Sequence, residues 1–295
     1  MEVIQVIHVD AFTHERETGN AAGVVLTVSQ LSNEKMQRIA KKVGFNETVF
    51  VLPSNKGDFK CRFFAPNSEM AMCGHASIAA LYALYTEQRI AIGDVLNIET
   101  KSGLFQASIV NMNDNVFIKM EQHVYALEDY KGSKQAIADA MHIHVSDIDH
   151  TLPIQYACTG GWTCIVPITS LDAFEKMRPD NKAFQHILTA HPDASLHPII
   201  FESRDHSADI HARHFSASHT GSIEDAVTGT AAAASIVYMR QHQQCDDRSE
   251  HVYTIEQGYE MGRPGKVHVA LDTVHQKMYI LGTATINKVM AITLD

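Results

Sequence analysis

One pattern occurs twice in this chain, once in each half. Residues 69–77 read Glu-Met-Ala-Met-Cys-Gly-His-Ala-Ser, and residues 224–232 read Glu-Asp-Ala-Val-Thr-Gly-Thr-Ala-Ala, with the same spacing from the acid to the glycine. An Arg-x-Phe segment precedes each stretch, at residues 62–64 and 213–215, and an alanine-rich run suited to a helix follows it. Repetition in this order indicates an internal duplication, so the chain is expected to fold as two similar units.

Two further matches lie at a common offset of 141 residues. Thr18-Gly19-Asn20 corresponds to Thr159-Gly160-Gly161, and each triplet is followed by a pair of β-branched residues. Glu34-Lys35-Met36 corresponds to Glu175-Lys176-Met177, each just after a Leu-led polar turn that is expected to cap a helix. Each half therefore predicts an α+β lobe of strand, Thr-Gly turn, strand, helix, further strands, glycine turn and alanine-rich helix.

The chain length agrees with two domains, because 295 residues with 45% hydrophobic content lie where single cores stop growing. We place the N-terminal lobe at residues 1–124 and the C-terminal lobe at residues 125–282. The boundary follows a polar stretch, residues 121–129, that comes after a strand-like segment. Residues 283–295 are a candidate last strand of the N-terminal lobe.

The charge balance narrows the classes of partner. There are 24 Lys and Arg against 34 Asp and Glu, and a net charge of −10 argues against nucleic acid or an anionic membrane surface. The first ten residues lack the basic start of a signal peptide. The longest uncharged stretch, residues 70–85, is shorter than the ~18–20 residues of a spanning helix. We therefore expect a cytoplasmic protein without a membrane segment.

Cysteine and histidine usage predicts neither disulfides nor metal. The five cysteines are scattered and form no Cys-x-x-Cys pair, so neither a disulfide framework nor a zinc knuckle is expected. The 18 histidines include no His-Glu-x-x-His pattern, and no metal site is predicted.

The two glycine turns predict anion binding. A strand that enters a helix through Cys73-Gly74-His75 leaves backbone N–H groups at the helix start without intrahelical partners. The helix dipole and these amides favour a carboxylate, and glycine lets a ligand come close to the backbone. Two such turns that face each other would hold one small acidic molecule. The alternative is an ordinary glycine turn before a core helix.

Several side chains near the turns suit acid/base chemistry, namely Glu69, Cys73, His75 and Asp225. Cys73 discriminates between mechanisms, because a racemase with two thiol bases needs an equivalent cysteine in the second half. The aligned residue there is Thr228, and a threonine hydroxyl is too weak an acid to replace a thiol.

Glu47 is the acid that the duplication does not repeat. It lies three residues after Gly44 and just before the apolar segment 49–52, and the second half has no matching acid. A carboxylate at the mouth of an apolar strand is desolvated, which suits it to take up and release a proton near neutral pH. The alternative is a solvated glutamate at a strand end.

Six ordered motifs, which span nearly the whole chain, resemble the PhzF-like family, the phenazine-biosynthesis isomerase group within the diaminopimelate-epimerase-like fold. They are Asp10-Ala11-Phe12-Thr13 with Gly19-Asn20, Asn46-Glu47-Thr48, Phe64-Ala65-Pro66 through Glu69 to Cys73-Gly74-His75-Ala76, Thr159-Gly160, Glu224 to Ala231, and Glu256-Gln257-Gly258 with Gly262-Arg263-Pro264.

The resemblance implies two pseudo-symmetric lobes, each a curved, mostly antiparallel sheet wrapped around a central helix, with a substrate cleft between them and commonly a homodimer. It implies no cofactor. In the family's phenazine enzyme a glutamate at the position of Glu47 moves a proton between carbons of trans-2,3-dihydro-3-hydroxyanthranilate.

The resemblance also assigns the substrate contacts. His75 and Asp225 would touch polar groups of the substrate, and amides of the two glycine turns would bind its carboxylate. Two departures from the family pattern occur: Ala226 replaces the usual proline, and Thr230 replaces the usual serine but keeps a hydroxyl. The complete set of expected substrate contacts is Asn20, Gly74, His75, Asp225, Gly229 and Thr230.

Three functions remain open at this level. The first is a cofactor-free isomerase of a small cyclic or unsaturated carboxylic acid, with Glu47 as the general acid/base. The second is a thiol-dependent amino-acid epimerase or racemase that uses Cys73. The third is a non-catalytic protein that binds a small carboxylate.

Overall fold

The computed structural model describes residues 2–26, 31–122, 126–159, 161–220, 222–244, 251–272, 274–275 and 277–294. The chain divides into two compact units, one of Met1–Glu121 with Leu281–Asp295 and the other of Gln122–Ile280. We call them unit 1 and unit 2. The lobe boundary predicted at residue 124 falls within residues 123–125, which lie outside the described residues.

Unit 1 begins with eight strands and two helices. Strands β1 and β2 pair antiparallel, β2 and β3 parallel, and β4 pairs antiparallel with β3 and β5 but parallel with β6. Strands β6, β7 and β8 form an antiparallel meander. The bounds are β1 Glu2–Ala11, β2 Asn20–Leu26, α1 Asn33–Val43, β3 Glu47–Leu52, β4 Phe59–Phe64, β5 Glu69–Met70, α2 Gly74–Thr86, β6 Val95–Thr100, β7 Gly103–Met112 and β8 Asn115–Gln122.

Unit 2 has the same order of strands and helices as unit 1, with more and shorter elements. The chain then returns to unit 1 in its last strand, which pairs antiparallel with β1. The bounds are β9 Ala126–Asp129, α3 Lys134–Met141, β10 Gln155–Cys158, β11 Trp162–Pro167, α4 Leu171–Lys176, α5 Asn181–Ile187, β12 Ser195–Ile200, β13 Ile210–Ala212, β14 His214–Phe215, β15 Glu224–Asp225, α6 Gly229–Gln241, β16 Val252–Gln257, β17 Gly265–Asp272, β18 Lys277–Gly282 and β19 Ala284–Leu294.

The duplication extends to the strand pairings. In unit 2, β10 and β11 pair antiparallel, β11 and β12 parallel, β12 and β14 antiparallel, and β14 and β15 antiparallel. Strands β13 and β16 pair parallel, and β16 and β17 antiparallel. Unit 1 shows these directions in the same order from β1 to β7, so each unit is an α+β lobe with a mostly antiparallel sheet, as predicted.

One buried helix occupies the centre of each unit. Helices α2 and α6 both have 13 residues, and nine residues of each are buried. Runs of alanine and other apolar residues on all faces favour a helix that is enclosed by its surroundings. Helix α2 packs against β1, β2, β3 and β19 of unit 1, and α6 against β10, β11 and β17 of unit 2. Each helix begins at the glycine of the repeated motif.

The third sequence match is wrong in its register. Ser32 is the N-cap of α1 and accepts a hydrogen bond from the Lys35 amide, so Glu34 lies in the first turn. In unit 2 the equivalent cap is Ser170, and Glu175 and Lys176 are the last residues of α4. The serine caps set the start of both helices, and they lie 138 rather than 141 residues apart.

The described cysteines, Cys61, Cys73, Cys158 and Cys164, are all free, and Cys245 lies outside the described residues. No helix in the described part of the chain is long and apolar enough to cross a membrane.

An arginine–glutamate pair secures each glycine turn from the neighbouring strand. The Arg62 Nε donates to Glu69 at 2.8 Å, and the Arg213 guanidinium donates to both oxygens of Glu224 at 2.8 and 2.7 Å. In each case the guanidinium also lies over the phenylalanine two residues on. Arg213 further donates to the carbonyl of Phe174 at 2.6 Å. The Arg-x-Phe segment of the sequence therefore anchors the turn that follows it.

Arg213→Met is expected to lower the free energy of unfolding by about 3 kcal/mol, because it removes the buried guanidinium that pairs with the mostly buried carboxylate of Glu224. The matched change in unit 1, Arg62→Met, is expected to cost about 1 kcal/mol or less, since the side chains of that pair are 18% and 23% exposed against 5% and 11%. Urea unfolding followed by circular dichroism measures both. Equal losses for the two variants would contradict this assignment.

Candidate functional site

A tight helix-to-strand connection positions Glu47 in unit 1. Helix α1 ends at Gly44, whose φ of 76° lies in the left-handed region and whose amide donates to the Ala40 carbonyl. Glu47 is then the first residue of β3 and pairs with Ala22 of β2. The four residues after Thr48 are buried, so the carboxylate lies at the end of an apolar strand, as the sequence predicted.

Glu47 contacts His75, which lies in the first turn of α2. The Oε2 atom of Glu47 is 3.1 Å from Nε2 of His75, and the side chains are only 13% and 7% exposed. This Oε2 atom is buried and makes no hydrogen bond of good geometry with any described residue. The contact is therefore an ion pair that leaves the carboxylate oxygen able to accept a proton or another partner.

Two more side chains surround the His75 ring. The Cys73 Sγ lies 3.5 Å from Nδ1, and the Asn20 amide nitrogen lies 3.2 Å from the same atom. Burial lowers the pKa of His75, but Cys73 and Glu47 outweigh it and hold this pKa well above its usual value. Burial raises the pKa of the Cys73 thiol. With that thiol protonated near neutral pH, the Glu47 carboxylate is the charge that favours the imidazolium.

Glu47→Gln is expected to lower the pKa of His75, because it removes the carboxylate while burial continues to favour the neutral ring. An NMR pH titration of isotope-labelled histidine measures this pKa. Glu34→Gln, an exposed change on α1, is the matched control and should leave the pKa of His75 unchanged. If the pKa of His75 stays elevated in Glu47→Gln, the ion pair is not what raises it.

The start of α2 offers backbone donors beside this cluster. The first intrahelical bond runs from the Ser77 amide to the Cys73 carbonyl at 3.0 Å, so the amides of Gly74 and His75 have no intrahelical acceptor. A Cβ atom added to Gly74 would meet nothing within 4 Å. Protein packing therefore does not require glycine here, and the open space lets a ligand approach these amides. The carboxylate site predicted at this turn stays a prediction.

Unit 2 holds its own cluster at the second glycine turn. The Thr228 hydroxyl donates to Oδ2 of Asp225 at 2.6 Å. Gln257, which is 1% exposed, donates from Nε2 to the Asp225 carbonyl at 2.6 Å and accepts from the Thr228 amide at 3.2 Å. One glutamine side chain thus holds both ends of the turn. This clamp holds the turn although Ala226 lacks the stiffness of the proline that the resemblance implies at this position.

Two other segments of unit 2 support the same turn. Gly258 has a φ of 90°, and a Cβ atom there would lie 2.8 Å from the Ala226 carbonyl oxygen, so only glycine allows this approach. The Thr159 hydroxyl donates to the Thr230 carbonyl at 3.1 Å in the first turn of α6. Gly160 of the Thr-Gly motif lies outside the described residues. The first intrahelical hydrogen bond of α6 runs from the Ala232 amide to the Thr228 carbonyl. The Gly229 and Thr230 amides therefore also lack intrahelical acceptors.

Gln257→Leu is expected to lower the free energy of unfolding by about 1–3 kcal/mol, because the substitution removes the two hydrogen bonds by which Gln257 holds the turn, each worth about 0.5–1.5 kcal/mol. Gln135→Leu is the matched control, since Gln135 is exposed on α3 and donates to Asp139 one helical turn away. That change should alter stability by about 0.5 kcal/mol or less. Thermal unfolding of both variants measures these losses of stability. Equal losses in the two variants would refute the role of Gln257 in holding the turn.

The two clusters differ in chemistry although their backbones correspond. Ser195 occupies the position of Glu47: each is the first residue of a six-residue strand, and the Ser195 hydroxyl donates to Thr163 at 2.7 Å. Thr228 is the N-cap that corresponds to Cys73, and Thr230 occupies the position of His75. At these three positions, therefore, unit 1 carries an acid, a thiol and an imidazole, whereas unit 2 carries hydroxyl groups.

The structure brings the predicted residues together in two sets, one in each unit. The first set consists of Asn20, Glu47, Gly74 and His75, which lie together with Cys73. The second set consists of Asp225, Gly229 and Thr230. Sequence reasoning noticed the Glu-Gln-Gly motif but did not assign Gln257 a role, because its partners lie about thirty residues away in the chain.

Comparisons with known proteins agree on one family. The sequence model of the PhzC-PhzF family, described as phenazine biosynthesis-like protein, matches residues 9–289. An uncharacterized isomerase, YfhB, of Bacillus subtilis (strain 168) is 39% identical over 96% of this chain and 97% of its own length. A crystal structure of a PhzF-family phenazine biosynthesis protein from Bacillus anthracis matches with a TM-score of 0.94 at 41% identity, covering 100% of both chains.

Two more distant matches bear on reaction and fold. The trans-2,3-dihydro-3-hydroxyanthranilate isomerase of Pseudomonas aeruginosa is 28% identical over 92% of this chain and 91% of its own length. A hydroxyproline epimerase structure from Agrobacterium vitis matches with a TM-score of 0.63 at 12% identity, over 100% of this chain and 92% of its own. Identity this low shows the fold alone. The predicted family and the epimerase-type α+β fold are both confirmed.

Proposed function

Because this chain belongs to the PhzC-PhzF family of phenazine biosynthesis-like proteins, we propose that it isomerises a small cyclic or unsaturated carboxylic acid by moving one proton between two carbons. Its relatives are named isomerases, so the chain is an enzyme of that class, which argues against a purely binding role. The proposed reaction uses no cofactor. Glu47 takes the proton from one carbon and returns it to the other.

The observation that carries this proposal is the asymmetry at Glu47. Both units repeat the strands and the central helix, but an acid stands at the start of β3 and Ser195 at the start of β12. A structural role common to both units would not need this difference. The carboxylate is also mostly buried and 3.1 Å from His75, in an environment suited to proton transfer.

The proposed proton transfer needs no second reactant. The Glu47 carboxylate accepts a proton as a C–H bond breaks, and the electron pair of that bond is delocalised into the unsaturated acid. Protonated Glu47 then gives the same proton to another carbon, so the composition of the substrate is unchanged. The His75 imidazolium and the amides at the start of α2 stabilise the negative charge of the substrate.

The remaining predicted contacts belong to the proposal. In unit 1, Asn20 holds the His75 ring, and the Gly74 and His75 amides are the expected donors to the substrate carboxylate. In unit 2, Asp225, Gly229 and Thr230 are the expected substrate contacts, and the Gln257 clamp supports their turn. A cytoplasmic homodimer is also part of the proposal and rests on the family resemblance.

Glu47→Gln is expected to lower turnover by ~10²–10⁴-fold, the usual contribution of a positioned acid/base. The first compound to test is trans-2,3-dihydro-3-hydroxyanthranilate, which appears in the name of the Pseudomonas aeruginosa relative, followed by other cyclic and unsaturated acids. NMR spectroscopy in deuterated water follows both product formation and isotope incorporation. Glu34→Gln should keep full activity, and full activity of Glu47→Gln on an identified substrate would rule out the mechanism.

A second candidate, a thiol-dependent epimerase, is favoured by the contact between Cys73 and His75 and by the epimerase-type fold. Two observations oppose it. Burial raises the pKa of the Cys73 thiol, and its counterpart Thr228 is already hydrogen-bonded to Asp225. A thiol base in one unit therefore has no thiol partner in the other.

Cys73→Ser separates the two candidates in the same assay. The isomerase proposal expects Cys73→Ser to retain most of its turnover while Glu47→Gln loses it. The thiol route expects the reverse, with α-proton exchange of candidate amino acids abolished in Cys73→Ser. Thermal unfolding of both variants confirms that each remains folded.

A further inference from the structure

Three side chains at the start of α2 and β3 form a group that can ligate a metal ion. The ligand atoms of Glu47, Cys73 and His75 all lie within 4.8 Å of one another, and within the described ranges no other histidine, cysteine or acidic residues form such a group of three or more. The three come from distant positions in the sequence and meet only through the fold. Their spacing along the chain therefore matches no metal-binding sequence motif.

Two of the distances between ligand atoms are compatible with a tetrahedral ion. Zinc binds nitrogen and oxygen at about 2.0–2.1 Å and sulfur at about 2.3 Å, which places N and O ligands roughly 3.3 Å apart and N and S ligands roughly 3.6 Å apart. The Glu47 Oε2 lies 3.1 Å from His75 Nε2, and the Cys73 Sγ lies 4.0 Å from the same nitrogen. Both separations agree to within about half an ångström, which small side-chain rotations supply.

The charges of the three ligands and their burial favour a divalent cation. The Glu47 carboxylate and a Cys73 thiolate together neutralise a divalent cation, so the occupied site carries no net charge in a place where an unpaired charge is costly. The buried Oε2 of Glu47 lies 3.1 Å from Nε2 of His75 and makes no hydrogen bond of good geometry with any described residue, so the ion would replace the ring proton between these two ligand atoms. Thiolate and imidazole select soft or borderline ions, whereas magnesium and calcium need more oxygen ligands.

Asn20 supplies the outer contact that such a histidine needs. A histidine that binds metal through Nε2 carries its proton on Nδ1 and usually donates it to a neighbouring acceptor. The Asn20 side-chain amide lies 3.2 Å from Nδ1. This contact is made by the amide nitrogen, so a half-turn of the amide group would accompany metal binding; its oxygen then accepts the Nδ1 proton and fixes the tautomer that presents Nε2 to the ion.

We propose that Glu47, Cys73 and His75 bind one soft divalent cation, with Zn²⁺ as the reference ion, and that the bound ion blocks the proton transfer of Glu47. Binding releases the Cys73 thiol proton, and the second ring proton of His75, to the solvent, while no group changes oxidation state. Three protein ligands leave a fourth position open to water or a carboxylate. Only the blockade rests on the proposed function, since metal binding needs no substrate.

Cobalt titration tests the binding without any enzyme assay. Co²⁺ is expected to bind the metal-free protein at one equivalent and to produce a thiolate-to-metal charge-transfer band, which one equivalent of Zn²⁺ removes. Cys158→Ser, a change at a half-buried cysteine of unit 2, is the matched control and should keep the band and the Zn²⁺ affinity. Affinity should fall as the pH falls, because protons compete for the thiolate and the imidazole.

Cys73→Ser is expected to abolish the band and to weaken Zn²⁺ binding by more than the roughly 10–100-fold that loss of an outer-shell partner costs. Glu47→Gln should also weaken Zn²⁺ binding but keep a thiolate band, which shows that the variant protein still folds around Cys73. If Cys73→Ser binds Zn²⁺ as tightly as the unmodified chain, the ion lies among other histidines and the proposal is wrong. Absence of stoichiometric Co²⁺ binding overturns it equally.

The cobalt titration and the isomerase assay, carried out on the same protein, distinguish a failure of the metal site from a failure of the proposed isomerase function. A chain that binds Co²⁺ through Cys73 but converts none of the tested acids supports the metal site and removes the isomerase assignment for those acids. Isomerase activity that one equivalent of Zn²⁺ leaves intact, in a protein with the cobalt band, would overturn the blockade.

Discussion

Each unit depends on one constraint, namely that an apolar helix must be enclosed while its first backbone amides still need acceptors. Helices α2 and α6 are buried over nine of their 13 residues, while the first amides of each have no acceptor within the helix. Each helix start consists of an extended N-cap residue followed by glycine. Neither Cys73 nor Thr228 makes a side-chain cap bond, and the amides at both helix starts are left for another acceptor.

The elements around these helix starts serve to hold them in place. A buried or half-buried Arg–Glu pair fixes the short strand before each turn, and in unit 2 the Gln257 side chain adds a clamp from the neighbouring strand. The turn geometry is thus set by side chains that do not themselves react. This arrangement leaves the residues in the first helical turn free to differ between the units, and they do: His75 in one and Thr230 in the other.

Because other residues hold the turns, a duplicated chain is able to carry ionisable side chains at these positions in one unit and not in the other. Glu47, Cys73 and His75 lie within contact distance in unit 1, whereas the equivalent positions in unit 2 carry hydroxyl groups, Ser195, Thr228 and Thr230. Hydroxyls position a ligand or a neighbour but do not hold a charge near neutral pH. The same close grouping that suits Glu47 to proton transfer also supplies the donor set of a soft metal ion.

The sequence by itself determined the duplication, the alanine-rich central helices, the glycine at which each begins, and the singular acid at Glu47, because these depend on local propensity and on spacing along the chain. It misplaced the start of α4, since a serine cap and not the matched Glu-Lys-Met triplet fixes that end. Only the tertiary structure decided that Glu47 meets His75, that Asn20 holds the ring, and that Gln257 clamps a turn 29 residues away in the sequence. Such contacts join strands whose register and pairing are set by the whole sheet, and no short-range pattern encodes them.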